Sequence, residues 1–246
     1  MTLHFSHGNA KLNKGTLIFN LPAGKTCPGA MFCKSFAVVG DNGRRKIQDG
    51  PHTEFRCFAA SGEVQFDQVF YNRADNFEQV LNALKSGTVT ELVKLLDHGV
   101  QQNRGKNTSR VRIHESGDFF SLGYLQAWVE VAIMNPDLMF YCYSKSLNYF
   151  LHVDLPSNFY LTASYGGRFD YLIDEGYFPR YAKVVESLEV ANSLGLPVDI
   201  NEDHCFLPGP YALLVHNTQP KGSEMGKFAK VNAKVKKQLL EQLMAV

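Results

Sequence analysis

From residue 110 onward, short apolar runs alternate with helical segments, and this alternation restricts the fold more than any other feature of the chain. Residues 110–114, 138–143, 159–163, 181–185, 197–200 and 211–215 read as strands, rich in β-branched and aromatic side chains. Between them lie helical segments at 121–134, 146–153, 169–175 and 188–194, and a polar helix over 226–244 closes the chain. Strands joined through helices pair in parallel around a common sheet. Upstream, residues 16–20 supply a further buried strand, followed by a polar excursion over 40–54. Helices are expected around 63–72, 75–86 and 88–103, the last with Thr88 as its cap. About seven strands allow an open doubly wound sheet or a barrel. The first strand lacks a Gly-x-Gly-x-x-Gly turn, which disfavours a dinucleotide-binding sheet. The expectation is an α/β fold, a full or partial (β/α) barrel with parallel strands. Neither an internal repeat nor a low-complexity linker divides the chain, so residues 1–246 read as one domain, with a cysteine loop over 21–60.

In parallel α/β folds, functional groups collect at the carboxyl ends of the strands. After the first strand come Cys27 and Cys33, and Cys57 follows downstream, all on Gly- and Pro-rich stretches. After the 110–114 strand comes Glu115-Ser116-Gly117-Asp118, after the 138–143 strand Ser144-Lys145-Ser146, and after the 159–163 strand Ser164 through Arg168. Three thiolates on loops can hold a cubane iron–sulfur cluster with one iron open, or a zinc with one open position. The spacing Cys27-x5-Cys33-x23-Cys57 matches neither short-spaced ferredoxin nor zinc-ribbon patterns. Cys142 lies mid-strand and reads as core, and Cys205 reads as a buried loop residue. His114 reads as a hydrogen-bonded structural histidine. Asp118 suits acid–base work or a helix cap, and Gly117 a tight turn or close approach to a ligand.

Composition narrows the setting. Five cysteines, an odd number, do not form a secreted disulfide framework, and the first residues have no basic-then-apolar leader. No run approaches the length of a membrane span. A cytoplasmic protein is expected. Formal net charge is +1, so no global field draws the chain to nucleic acid. A local basic face on the lysine-rich C-terminal helix leaves nucleic acid open as a partner, while the oligomeric state is not legible.

The residues Asn20-Leu21-Pro22-Ala23-Gly24-Lys25-Thr26-Cys27-Pro28-Gly29-Ala30, then Cys33, Cys57-Phe58-Ala59 and Ile113 through Phe120 resemble a phage-borne family of unknown function. That family is known by a phage gene-product number, eighty-eight. The strand ending in Ser144-Lys145-Ser146 shares the pattern, and the resemblance covers about residues 8–165. The family is distantly similar to radical S-adenosylmethionine (SAM) proteins, although Cys57 stands well downstream of their closely spaced third cysteine. This resemblance implies a radical SAM-like barrel with a [4Fe–4S] cluster on Cys27, Cys33 and Cys57. It further implies a small molecule, SAM, at the open iron. Ser116, Gly117 and Asp118 would hold the methionyl amine, Lys145 or Arg168 the carboxylate, and Ser164 the ribose. A non-catalytic iron–sulfur carrier and a zinc-containing nucleic-acid module remain the alternatives.

Overall fold

The computed structural model describes residues 2–8, 12, 14–85, 88–216 and 218–244, the side chains of 242–244 excepted. The strands are β1 (Phe5–His7), β2 (Thr16–Phe19), β3 (Ser35–Val39), β4 (Arg45–Asp49), β5 (Arg110–Ile113), β6 (Met139–Ser144), β7 (Phe159–Ser164), β8 (Tyr181–Val185) and β9 (Tyr211–Leu214). The helices are α1 (Phe58–Gln65), α2 (Asp67–Lys85), α3 (Val89–Asn103), α4 (Leu122–Met134), α5 (Leu147–Phe150), α6 (Tyr171–Asp174), α7 (Leu188–Ser193) and α8 (Glu224–Met244), with a 3-10 turn at Asp203–Phe206. Seven strands form one sheet in the order β1-β2-β5-β6-β7-β8-β9. Every neighbouring pair is parallel except the edge pair β1–β2. The fold is thus α/β with a mostly parallel sheet. From β2 to β9 the strands lie in chain order, so each crossover advances one strand in the same direction.

Alternation along the strands sorts the side chains into two layers. Register pairs Leu17 with Val111 and Phe140, and Phe19 with Ile113 and Cys142. These side chains meet Leu92, Leu96 and Val100 of α3 and Leu125, Trp128 and Val131 of α4 in the main core. Right-handed crossovers running in a single direction lay their helices on a common face, which accounts for this layer. The intervening positions include Ile18 and then the polar or amphipathic Arg112, Tyr141, Tyr143, Thr162 and Tyr211. This second face is filled by the Asp199–Phe206 segment. Glu202 at its tip accepts from the buried Arg112 guanidinium and from Tyr141 Oη at 3.2 Å, and Phe206 packs on Tyr141 and Tyr160. Cys142 is fully buried in the main core. Cys205 is buried in the 3-10 turn, where its thiol donates to the Glu202 carbonyl at 2.7 Å.

Three expectations are corrected, and one strand is new. Residues 197–200 make no strand; a single bridge joins Val198 to Ala212. The Asp199 carboxylate there accepts from the main-chain N of Glu202 (3.0 Å) and of His204 (3.3 Å), folding the segment into a turn. The excursion over 40–54 contains β4, paired antiparallel with β3 in a separate hairpin. The helices expected at 63–72 and 75–86 are divided elsewhere: α1 starts directly after Cys57, and α2 runs unbroken from Asp67 to Lys85. The last residue of that expectation, Ser86, lies outside the described residues. Arg73 lies inside α2, not at a break, because a partner from α1 neutralises it in the interior. Finally, β1 adds an antiparallel edge strand that three residues of weak alternation do not announce. Thr88 does occupy the position before α3, although its side chain makes no capping bond.

Candidate functional site

Asn20 ends β2 and begins the site. Its Oδ1 accepts from the main-chain N of Glu115 and of Ser116, both at 2.8 Å, so it clamps the loop after β5 against the loop after β2. The Leu21 N–H donates to the Ser116 carbonyl at 3.0 Å. Gly117 stands at φ +88, and a Cβ there would lie 2.7 Å from Thr26 Oγ1 and 2.8 Å from Leu21 Cβ. Only glycine admits both that conformation and that approach. The Ser116-Gly117-Asp118 turn is therefore packed against the residues that lead into Cys27.

Asp118 is buried, and its carboxylate is fully occupied by neighbours. Oδ1 accepts from Phe119 N and Ser144 Oγ, each at 2.7 Å, and Oδ2 from Lys145 N at 2.8 Å. Burial raises its pKa while those donors lower it. Asp118 thereby fixes the main chain that carries Lys145. The Lys145 ammonium contacts Ser164 Oγ at the end of β7. Gly29 of the cysteine loop abuts the Lys145 carbonyl, and its own carbonyl accepts from Arg168 N at 2.8 Å. Arg168 touches the loop through its main chain, with its side chain exposed.

The hairpin β3–β4 returns the chain so that Cys33 and Cys57 come back together. The Gly50 N–H donates to the Lys34 carbonyl at 2.8 Å, and the N–H groups of Glu54 and Phe55 both donate to the Phe32 carbonyl. Arg56 pairs with Asp49 at 2.7 Å. Gln219, from beyond β9, clasps the Arg56 main chain with both ends of its amide, accepting at 2.7 Å and donating at 3.1 Å. Glu63 of α1 completes the frame: its Oε1 accepts from Ala23 N (2.8 Å), Arg73 Nη1 (2.9 Å) and Ser116 Oγ (3.2 Å).

The three cysteines of the loop share one space. Burial raises Cys27 well above the ordinary thiol range, and Asp118, Cys57 and Cys33 each raise it further. Burial and Cys33 push Cys57 up to about 11, against the pull of the Ala59 and Ala60 amides and of Lys145. Those amides are at the start of α1, a position that favours an anion. All three cysteines keep some surface open and none is in a disulfide. Among the described residues, no three His, Cys, Asp or Glu side chains converge closely enough to hold a single metal ion. A cleft of about 320 Å³ opens beside Cys33, lined by Phe32, Phe55, Tyr165, Lys183, Glu186 and Met225 among others.

Of the expected site residues, the structure brings together Cys27, Cys33, Cys57, the Ser116–Asp118 turn, Lys145 and Ser164. Arg168 meets them by main chain alone. Asn20, Glu63 and Gln219 carry the frame and escaped sequence reasoning. Asn20 opens the cysteine motif, which is a usable signal; a buried glutamate in a short helix without amphipathic pattern and a distant loop glutamine offer none.

His114 has the structural role its position implies. It is buried at φ +71, with Nε2 2.8 Å from Tyr124 Oη. Burial, then the Arg112 charge, lower its pKa to about 3. The folded state therefore resists protonation below the unfolded value, and stability is present above about pH 6.5 and is lost on acidification toward about pH 3. Denaturant titrations should show a slope of up to about 1.4 kcal/mol per pH unit from this proton. His114→Gln should flatten that slope; an unchanged slope would remove His114 from the account.

The fold defines a class: an α/β protein with a mostly parallel sheet, which carries three free cysteines, a buried lysine and a glycine-framed turn on the side where its strands end. The chain belongs to the Gene product 88 family, whose model matches residues 3–237. The match extends well past the 8–165 of the sequence resemblance. A relative, the Gene 88 protein of Mycobacterium phage L5, is 34% identical over 90 residues, which is 36% of this chain and 38% of the relative. The chain thus aligns with little more than a third of that protein's length. No solved structure matches the chain. Among the described residues no helix is long and apolar enough to cross a membrane.

Proposed function

We propose that this protein binds a [4Fe–4S] cluster through Cys27, Cys33 and Cys57 and offers the fourth iron to a small molecule of the SAM class. In this reading the sheet is a partial α/β barrel of the radical SAM type. The observation that carries it is that the loop after β2 and the β3–β4 hairpin bring Cys27, Cys33 and Cys57 within electrostatic reach of one another, on the side where the parallel strands end. Sheet order that follows chain order, with no reversal, is the order of barrel strands and not of a doubly wound sheet.

The donor set fits such a group. Three thiols that repel one another as thiolates are held together best by a cation that offsets the repulsion. Sulfur donors select iron–sulfur clusters, zinc or copper(I). A single zinc draws its thiolates around one point at about 2.3 Å, whereas a cubane takes them at separate corners. Bound there, the cluster would supply one-electron chemistry at an iron with an open position.

The remaining work falls to the chain. Lys145, oriented by Asp118, offers its ammonium to a carboxylate, and Ser164 beside it offers a hydroxyl to a ribose. The Ser116–Asp118 turn acts from behind the site, since Ser116 Oγ is committed to Glu63 and the Asp118 carboxylate to Phe119, Ser144 and Lys145. The cleft that Phe32, Phe55 and Tyr165 line offers aromatic walls against which a nucleoside can pack.

Anaerobic reconstitution should yield a brown protein with about four irons and four sulfides per chain. Cys27→Ala, Cys33→Ala and Cys57→Ala should each lose most of the visible absorption, whereas Cys142→Ala and Cys205→Ala should keep it. A colourless product without iron and sulfide overturns the reading. A cluster that forms yet never binds SAM in equilibrium dialysis reduces it to an iron–sulfur carrier.

A further inference from the structure

We propose that the solvent face of α8 binds the phosphodiester backbone of a nucleic acid. Residues 221–240 hold six lysines against one glutamate, in a chain whose formal net charge is +1. Lys227, Lys230, Lys234 and Lys237 recur at spacings of three, four and three, and all four are exposed. On a helix this spacing lines them up on one face over about 15 Å. The opposite face is anchored: Ala229 and Asn232 are buried, and Asn232 Nδ2 donates to the Glu186 carbonyl at 2.8 Å. Val235 packs against the cluster formed by β8, β9 and α7. The stripe is thus presented outward on a fixed element.

Solvation alone does not account for this pattern. The other long helices mix their charges: α2 exposes Asp67, Asp75 and Glu78 with Lys85, and α3 pairs Glu91 with Lys94 at 2.8 Å. In α8 the lysines stand three and four apart, where like charges repel. Two glutamates share the helix with them: Glu224 stands three residues before Lys227, and Glu241 lies 3.9 Å from Lys237. A polyanion is the partner that turns this repulsion into attraction, because each lysine placed on a phosphate releases a counterion. Helix α8 starts at the aromatic cleft, to which it contributes Met225, so a strand lying along the stripe passes the cleft mouth. The lysine face needs no cluster to bind, and its test is separate from that of the thiol site.

Full-length protein should bind fluorescein-labelled duplex DNA of about 20 base pairs at about 50 mM salt, with little regard to sequence. Log affinity against log salt should fall with a slope of about −3 to −4, as expected for four phosphate contacts. Single-stranded DNA and RNA of equal length serve as the other sources of the same backbone, and should give slopes nearer −3. Changing Lys227, Lys230, Lys234 and Lys237 together to Gln retains helix propensity and should weaken binding at least about tenfold. Far-UV circular dichroism and the melting temperature should be unchanged, and Lys94→Gln should bind as the parent does. Absence of binding at low salt, or equal binding by the quadruple variant, overturns the proposal. So does lysine-dependent binding to anionic phospholipid vesicles with none to any oligonucleotide.

Discussion

Replacing Gly29 with alanine should dislodge the cysteine loop. A Cβ at this position would lie 2.1 Å from the Lys145 carbonyl oxygen, 2.5 Å from its carbon and 2.9 Å from Ser146 N. All three are main-chain atoms, so no side chain can rotate away to make room. Either the loop lifts or the end of β6 moves, and Asp118 and Ser144 hold that end through buried hydrogen bonds. The loop is the weaker partner. Its displacement forfeits the bond from Arg168 N to the Gly29 carbonyl and the Ala30–Gly167 bridge. The expected cost is about 1–3 kcal/mol from overpacking alone, together with loss of cluster loading by the reconstituted protein. Gly62→Ala is the matched control. It lies inside α1 with nothing within 4 Å of the new methyl, and should stabilise by roughly 0.5–1 kcal/mol. A Gly29→Ala protein with parental stability and loading would show that the loop does not rest on β6.

The second large effect is expected at Glu63. Its side chain is 3% exposed and that of Arg73 is 10% exposed, so the pair is desolvated on both sides. Such a pair adds little net stability, since desolvation offsets attraction, yet removing one partner strands the other. Glu63→Ala leaves Arg73 with only the Ala59 carbonyl, and leaves the Ala23 amide and the Ser116 hydroxyl without their acceptor. Breaking a buried pair costs about 3–5 kcal/mol, which for a chain of this size corresponds to a fall of about 10 °C in Tm. Glu63→Gln retains an acceptor and should lose about half as much. Calorimetry on both variants reads the difference. A Glu63→Ala protein within about 1 kcal/mol of the parent would mean the hub is slack.

Local regularity explains how much of the fold was legible. Each of β5, β6, β7, β8 and β9 lies within two residues of its expected place, because apolar runs between polar strand ends leave few other solutions. Ser121 opens the segment expected as a helix and caps α4, accepting from Tyr124 N, while Ser187 caps α7 by accepting from Val190 N. The misses are of a different kind. The stretch over 197–200 has strand composition, but Asp199 supplies a side-chain acceptor that outcompetes a ladder. In the hairpin, β4 (Arg-Lys-Ile-Gln-Asp) is too polar for a strand pattern to signal it, and β3 (Ser-Phe-Ala-Val-Val) is an apolar run without alternation. The α1–α2 boundary depends on Glu63 and Arg73 finding one another, an event between helices.

The same division applies to the thiol site. Sequence alone determined that Cys27 and Cys33 follow a buried strand, that Cys142 belongs to the core, and that the Ser116–Asp118 turn and Lys145 occupy the carboxyl ends of neighbouring strands. These follow from period and position within single elements. Only the tertiary structure decided that Cys57 returns to Cys33, since a hairpin, the Asp49–Arg56 pair and the Gln219 clasp together close that gap. It also decided that Asp118 spends its carboxylate on orienting Lys145, and that α8 turns four lysines outward by burying Ala229 and Asn232. Hydrogen bonds between residues far apart in the chain have no periodicity to read; they exist only once packing has brought donor and acceptor together.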